Sequence, residues 1–539
     1  MTAPHSRVGQ ETLAALLRIH REVLDDEGIG PEDNFYDHGG NSLLALRIIR
    51  RIAEELGVRA PARAVFTAPT VADLATQVAA AGRQEPATTP APDGTSGGGV
   101  SGRASMAQEW AILAQLKDPD APALQFHVAY RVRGPLDIDV LRQALQVLTD
   151  HHPGLRTAFR VREGRVFQEV ADAVPADLRV EDFSGLHEDE RLGQALDFLD
   201  EEVRRPFDRA TAPLARALLV RCTAEDHLLA LVFDHAVADG WSLETLTEQL
   251  SEVYETLLSG GLPQLPAAGS YLRWAAQQWE RYEAGRGKEV ADYWRDQLGP
   301  DPAAFALRLP GYLPGSGLSG PAALSLEVPP AVASALDAAC RRLRTTPYCV
   351  SLAALKAYVA QQTGEERVII LSTSANRLEP EYQDTVGWFA NGVFPVTRVD
   401  ASAGFAQLVE EVRTTSLAAT VHGDLPAAYV RDLMWSRSQS GFRKDPGVYF
   451  MCNDLWGGAL RLGAAEVAPV FLDEHADSPG LHMWLLRHRD GLRLQVLHYR
   501  SEYPAGYVRQ FAEGFLAALS ALCGTPHGAV GDVLPPASL

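Results

Sequence analysis

The chain has 539 residues, of which 46% are hydrophobic and 22% charged, and carries a formal net charge of -20. Such totals describe a globular protein of about two to four domains, too long for one ordinary core. The acidic excess disfavours nucleic acid as a partner, and no apolar run approaches the ~18 residues that span a bilayer, so no membrane partner is expected. Residues 1–7 hold no apolar signal core, which predicts a cytoplasmic protein. Five cysteines (Cys222, Cys340, Cys349, Cys452 and Cys523) are scattered and lack a CxxC pair, so neither a disulfide framework nor a metal site is expected.

Residues 12–23 carry apolar side chains at helical spacing. Leu43, Leu44, Leu46, Ile48, Ile49 and Ile52 repeat the pattern, with Arg47, Arg50 and Arg51 on the polar side. Between them, Asp33-Asn34-Phe35-Tyr36 leads into Asp37-His38-Gly39-Gly40-Asn41-Ser42-Leu43-Leu44. Two glycines free the backbone to turn and keep bulk away from Ser42, whose hydroxyl then opens a helix where partial positive charge favours a phosphate. An ordinary N-capping serine would look alike in isolation. The loop and its flanks resemble the carrier domain of nonribosomal peptide synthetases. The resemblance implies that Ser42, the serine of a GGxS motif, bears 4'-phosphopantetheine placed there by a phosphopantetheinyl transferase. A further helix is expected over 70–81, with Thr70 as N-cap and Asp73 three residues on.

Residues 82–105 are rich in Pro, Gly, Ser, Thr and Ala and cannot bury a core, so a linker is expected there. Beyond it the patterns alternate. Strands are expected over 129–132, 228–233, 368–372, 448–451 and 492–497, and helices over 138–149, 243–258, 331–341, 349–362 and 505–522. A weaker break near 264–268 divides this region in two. The expected domains are 1–82, a linker over 83–104, and two lobes over 105–270 and 271–535.

The run Leu231-Val232-Phe233-Asp234-His235-Ala236-Val237-Ala238-Asp239-Gly240-Trp241-Ser242 places an apolar strand before a polar cluster and a turn, with Ser242 expected to cap the next helix. A histidine at a strand end beside an aspartate presents an imidazole in a cleft, although a buried, hydrogen-bonded histidine gives the same pattern. The run resembles the HHxxxDG motif of condensation domains, which join thioester-bound acyl groups to amines. Related elements follow the family's order: Ser105-Met106-Ala107-Gln108, then His151-His152-Pro153-Gly154-Leu155-Arg156-Thr157-Ala158-Phe159, then Tyr271 to Trp274 with Tyr293-Trp294. Val386-Gly387-Trp388-Phe389-Ala390-Asn391 and His422-Gly423-Asp424-Leu425-Pro426 complete the set. The resemblance spans 104–535. It implies a small all-α four-helix carrier joined to an α/β (α+β) two-lobed domain of chloramphenicol-acetyltransferase-like fold. The motif histidine would lie in a tunnel between the lobes.

By the resemblance, His235 is the histidine that accepts the amine's proton or holds the nucleophile, and Asp239 is a structural aspartate. A buried aspartate needs a partner, for which Arg377 in Ser374-Ala375-Asn376-Arg377 is the candidate. Gly240 could offer a backbone N–H to the oxyanion, while Ser242, Arg156 and Asn391 support the site. Asp234 stands where the family has its first histidine, either orienting His235 or replacing a structural group. Glu109 stands where the opening motif usually continues towards arginine. Asp234, Asp239 and Ser242 also fit the DxxxxDxxS motif of heterocyclisation domains, but those usually lack a histidine at the position of His235. Amide formation is therefore the main expectation. Cyclodehydration of a Cys, Ser or Thr acceptor, ester formation, or a non-catalytic recruitment platform are the alternatives. With no adenylation domain in the sequence, Ser42 is expected to be charged by a separate adenylation enzyme or an upstream module. The acceptor is then a free small amine or a substrate on another carrier protein.

Overall fold

The computed structural model describes residues 5–24, 26–38, 42–58, 65, 68, 70–81, 100–118, 124–299, 307, 309–313, 320–377, 379–434, 447–454, 460–472, 480–488 and 491–535. The helices His5–Leu24, Ser42–Leu56 and Val71–Ala81 turn their apolar stripes inward around Leu16, Ile19, Ile48, Ile52, Leu74 and Val78. Thr70 ends the chain's approach to the third helix: its hydroxyl accepts from the Asp73 amide at 3.1 Å and donates to the Asp73 carboxylate at 2.8 Å. Most of 59–69, where a fourth helix would fall, lies outside the described residues, as do Gly39, Gly40, Asn41 and residues 83–99. The linker expected over 83–104 ends sooner, because Val100–Arg103 is a strand paired with Arg165–Val170.

The two largest sheets of the larger region carry its main cores. In the first, strands Gln125–Arg133, Asp226–Asp234, Ala215–Arg221 and Leu178–Asp182 lie side by side in that order. One face, with Val128, Tyr130, Leu229 and Leu231, packs against helices Ile138–His151 and Gly240–Leu258. The other, with Ala129, Leu228, Ala230 and Val232, packs against Glu188–Glu202. Burial on both faces explains the unbroken apolar run at 228–233. The second sheet orders Val448–Asp454, Leu481–His488, Gly491–Tyr499 and Pro321–Glu327, backed by helices Pro330–Leu343, Pro347–Thr363 and Ala505–Gly524.

Strand Glu466–Val470 follows the second sheet's first strand in sequence yet pairs antiparallel with Gln125–Arg133, as the edge of the first sheet. Pro469, which offers no amide to a further strand, suits an edge. The strand expected over 368–372 is broken. Arg367–Ile369 pairs with Val396–Arg398, and Ser372–Ser374 with Asn391–Val393. Between them Leu371 turns to bond Val448 and Phe450, so the chain changes partner within the segment. Fully buried Lys356 donates to the carbonyls of Val368 at 3.1 Å and Pro395 at 2.5 Å, and burial pushes its ammonium down to about 7.

Candidate functional site

His235 follows strand Asp226–Asp234, where Val237 N–H closes a turn on the Asp234 carbonyl and the His235 amide bonds Leu124 O at 2.8 Å. Its ring is half-buried between two aromatic side chains. Phe126, from the neighbouring strand, lies 5.3 Å away at 64°, and Trp388, from the second half of the chain, 4.4 Å away at 38° (centroid distances). His235 Nδ1 is buried with no hydrogen-bond partner among the described residues.

Asp234 is turned away from that ring. One oxygen accepts from the Ala236 amide at 2.8 Å and the other from Arg209 Nε at 2.8 Å, in a pair that is largely buried. Arg209 also reaches Gln115. Both carboxylate oxygens of Asp234 are thus taken up by these donors. Arg209 was missed from the sequence, since nothing in its surroundings signals the pairing.

Asp239 is the N-cap of helix Gly240–Leu258, and the cap is not Ser242 as expected. The Asp239 carboxylate accepts from the Ser242 amide at 2.8 Å, so Ser242 falls within the first turn. That frees the serine hydroxyl to bridge Asp239 at 2.7 Å and the Gly387 carbonyl at 3.0 Å. Arg377 lies 2.9 Å from the same carboxylate, with neither side chain more than 1% exposed. The other Asp239 oxygen accepts from the Phe389 and Ala390 amides, both at 3.0 Å. Burial alone would raise this carboxyl; the Arg377 charge and the Ser242 donors outweigh it and hold Asp239 below the usual carboxylate range. Arg377 also donates to the carbonyls of Tyr382 and Thr385 at 2.6 Å, with its guanidinium carbon 4.0 Å over the Phe389 ring. Arg377 and residues 379–391 are thereby bolted onto the strand–helix corner that carries His235.

Further bonds tie that corner down. Trp241 Nε1 donates to Gln383 O at 2.8 Å, and Gln108, in a capping box with Ser105, donates to Ala236 O at 2.7 Å. Tyr271 OH lies 2.6 Å from Trp388 O. At Gly154 a side chain would put Cβ 2.7 Å from the Val386 carbonyl, so glycine permits the close approach. Arg156 lies apart from His235, linking Thr149 O at 3.1 Å to Asp172 O at 3.0 Å. Asn391 donates to Gly423 O at 2.7 Å. Glu109 pairs with Arg103 at 2.9 Å and accepts from the Val166 amide at 3.2 Å.

Ser42 is the first residue of the 15-residue helix Ser42–Leu56. Ahead of it, His38 is held by Asp26, with Nδ1 to Oδ2 at 2.6 Å, and faces Asp33 at 3.5 Å. The helix lies beside the turn Pro380–Tyr382, and its Arg47 reaches Glu248 of helix Gly240–Leu258 at 2.6 Å. The helix that begins at Ser42 thus rests where the two halves of the larger region meet. A helix N-terminus is suited to the phosphodiester of a pantetheine arm, so the residues present fit that group. Among the described residues, no group of three His, Cys, Asp or Glu is placed to hold a metal ion, and no helix is long and apolar enough to cross a membrane.

A bundle of helices opening on a serine, joined to a two-lobed α/β body with a histidine at the seam, defines a carrier fused to an acyltransferase fold. The family model for the condensation domain matches residues 103–444, and that for the phosphopantetheine attachment site matches 10–78. The chain belongs to the condensation domain family of nonribosomal peptide synthetases, with a carrier ahead of it. Nonribosomal peptide synthetase kk1B of Curvularia clavata is 33% identical over 426 residues, covering 78% of this chain and 3% of that protein. Phosphinothricin tripeptide synthetase PhsB of Streptomyces viridochromogenes is 31% identical over 432 residues, covering 79% of this chain and 36% of its own. This chain therefore spans a small part of the relatives it matches. Among solved structures, the first condensation domain of the calcium-dependent antibiotic synthetase shares the fold, with a TM-score of 0.68 at 23% identity over 80% of this chain and 99% of that one.

Proposed function

We propose that this chain passes an acyl or peptidyl group held at Ser42 to an amine, forming an amide. The observation that carries the reading is the place of His235: at the seam of the two lobes, half-buried, on the seam where the Ser42 helix rests. Ser42 would hold a phosphopantetheine arm, which would supply a thiol to carry the acyl group and to leave when the amine takes its place. The chain's own part is mainly positioning, which is worth roughly 7–11 kcal/mol in favourable cases. His235 takes the proton that the amine nitrogen sheds as it attacks, or holds that nitrogen in line with the carbonyl. The Gly240 amide opens a 19-residue helix, whose N-terminal partial charge would favour charge on the carbonyl oxygen. Asp239, Arg377, Ser242 and Asn391 hold the corner and the loop. Arg156 braces the first lobe.

The partners that follow are a phosphopantetheinyl transferase, an adenylation enzyme or upstream module, and an acceptor that is a free amine or rides on another carrier. Residues 1–82 act as the carrier and 83–99 as linker, with the first lobe taking in Val100–Arg103 and running to 270 and the second covering 271–535. The test is intact-protein mass spectrometry. A phosphopantetheinyl transferase loads Ser42 from a panel of acyl-coenzyme A donors, and the protein then meets free amines including cysteine, beside a His235→Ala variant. Loss of the acyl group as an amide only with His235 present supports the reading. Loss of a further water from the cysteine product moves the chain to the cyclising class. If no amine or carrier-bound acceptor discharges Ser42, the reading falls.

A further inference from the structure

Among the described residues, no carboxylate or carbonyl meets the buried nitrogen of the His235 imidazole. Histidines that exchange protons are usually held in one tautomer and one orientation by such a bond. Here Asp234, the adjacent acid, is spent on Arg209 and the Ala236 amide, and Asp239 on Arg377, Ser242 and the loop amides. His235 Nδ1 is left buried and unpaired. Something else has to fix the ring, and two aromatic faces flank it: Phe126 from its own sheet and Trp388 from the other lobe.

Trp388 is itself unusually constrained. Its carbonyl faces Tyr271 OH at 2.6 Å, and the next two amides donate to Asp239. Its ring rests on a cluster of Tyr271, Trp274, Tyr382 and Phe389. Preceding Gly387 admits this packing, since a Cβ there would lie 2.2 Å from the Tyr271 ring. The backbone that carries the indole is thereby fixed, since the loop cannot move without breaking the Asp239 cluster.

We propose that Trp388 is a positioning residue for amide formation: by packing across the lobe seam, its indole fixes the orientation of His235 where other sites use a hydrogen bond. The inference rests on the proposed role of His235. It makes the productive imidazole a property of the assembled lobes, because the ring comes from one and its clamp from the other. A cation–π contribution follows from the same contact, since an imidazolium formed during proton transfer would face an indole.

The test compares Trp388→Ala, Trp388→Leu and Trp388→Phe in the full chain, loaded at Ser42. Trp388→Ala is expected to lower kcat on the order of 10²-fold, the scale of a displacement near 1 Å at a reacting group, with acceptor KM little changed. Trp388→Phe, which keeps a flat face, should recover most of the rate, whereas Trp388→Leu, similarly apolar but not flat, should not. A second readout needs no turnover: NMR of ring-labelled histidine, with the His235 signal assigned by its loss in His235→Ala. A single, sharp tautomer in wild type and Trp388→Phe that becomes averaged in Trp388→Ala supports the clamp. An unchanged His235 spectrum in Trp388→Ala, at an unchanged melting midpoint, overturns it, as does full activity in Trp388→Leu. If wild type discharges no acceptor, the functional reading fails while the ring spectrum still decides this one.

Discussion

Removing Arg377 should both destabilise the larger region and loosen its active corner. The guanidinium is fully buried and gives Asp239 its only counter-charge among the described partners, the other donors being Ser242 and the amides of Phe389 and Ala390. Stripping one member from a buried ion pair leaves the other charge uncompensated, at a cost of about 3–5 kcal/mol. Two carbonyls, of Tyr382 and Thr385, would lose a donor as well. Arg377→Met keeps much of the volume, so the electrostatic loss dominates, and we expect urea unfolding, followed by tryptophan fluorescence, to shift by at least about 3 kcal/mol. Asp239→Asn should lose a similar amount, because its amide nitrogen must meet N–H donors on one side. The double variant should be far less damaged than the sum, since each partner's cost is the other's isolation. Additive losses, or single losses below about 1 kcal/mol, would refute the clamp as the link between lobes.

Asp234→Ala should lower stability by about 3 kcal/mol through unpaired Arg209 while slowing transfer only a few-fold, whereas His235→Ala should abolish transfer at unchanged stability; equal, severe losses of turnover in two folded variants would contradict the assignment. Lys356, held neutral down to about 7 in the fold, binds a proton in the unfolded chain up to its ordinary ~10.4, so stability should rise with pH across that window and flatten in Lys356→Met, as read by urea midpoints from pH 6 to 10. Arg47→Glu and Glu248→Arg should each slow discharge of Ser42 about two- to fivefold at low salt, with partial rescue in the charge-swapped pair and little effect at 1 M salt, measured by single-turnover kinetics.

The carrier helices and the strand leading to His235 were legible because each is a local pattern: an apolar stripe, a cap, a run buried on both faces. The Asp239–Arg377 pair was reachable because a buried acid demands a cation. What the sequence hid was partnership at a distance. Arg209 carries no mark of its bond to Asp234. Trp388 stood in view within Val386-Gly387-Trp388-Phe389-Ala390-Asn391, but only the folded seam gives it His235 as neighbour. Cysteines spread along the chain converge in space: Cys340, Cys349 and Cys523 share one core in the second lobe, with Cys452 packed against it. The segment over 368–372 reads as one strand because its composition is uniform, and the change of partner at Leu371 is set by strands far off in sequence.

The edge strand Glu466–Val470 also sets a timetable for synthesis. Its partner, Gln125–Arg133, leaves the ribosome some 330 residues earlier. At about 5–20 residues per second, that edge waits on the order of tens of seconds for its last neighbour. Once Asp226–Asp234 has followed and paired with it, the nascent first sheet presents open backbone donors and acceptors along that edge, an invitation to pair with another chain. Slower translation of the second half would lengthen that exposure, so the yield of soluble protein should respond to codon choice across residues 320–465 more than to any change within the first sheet itself.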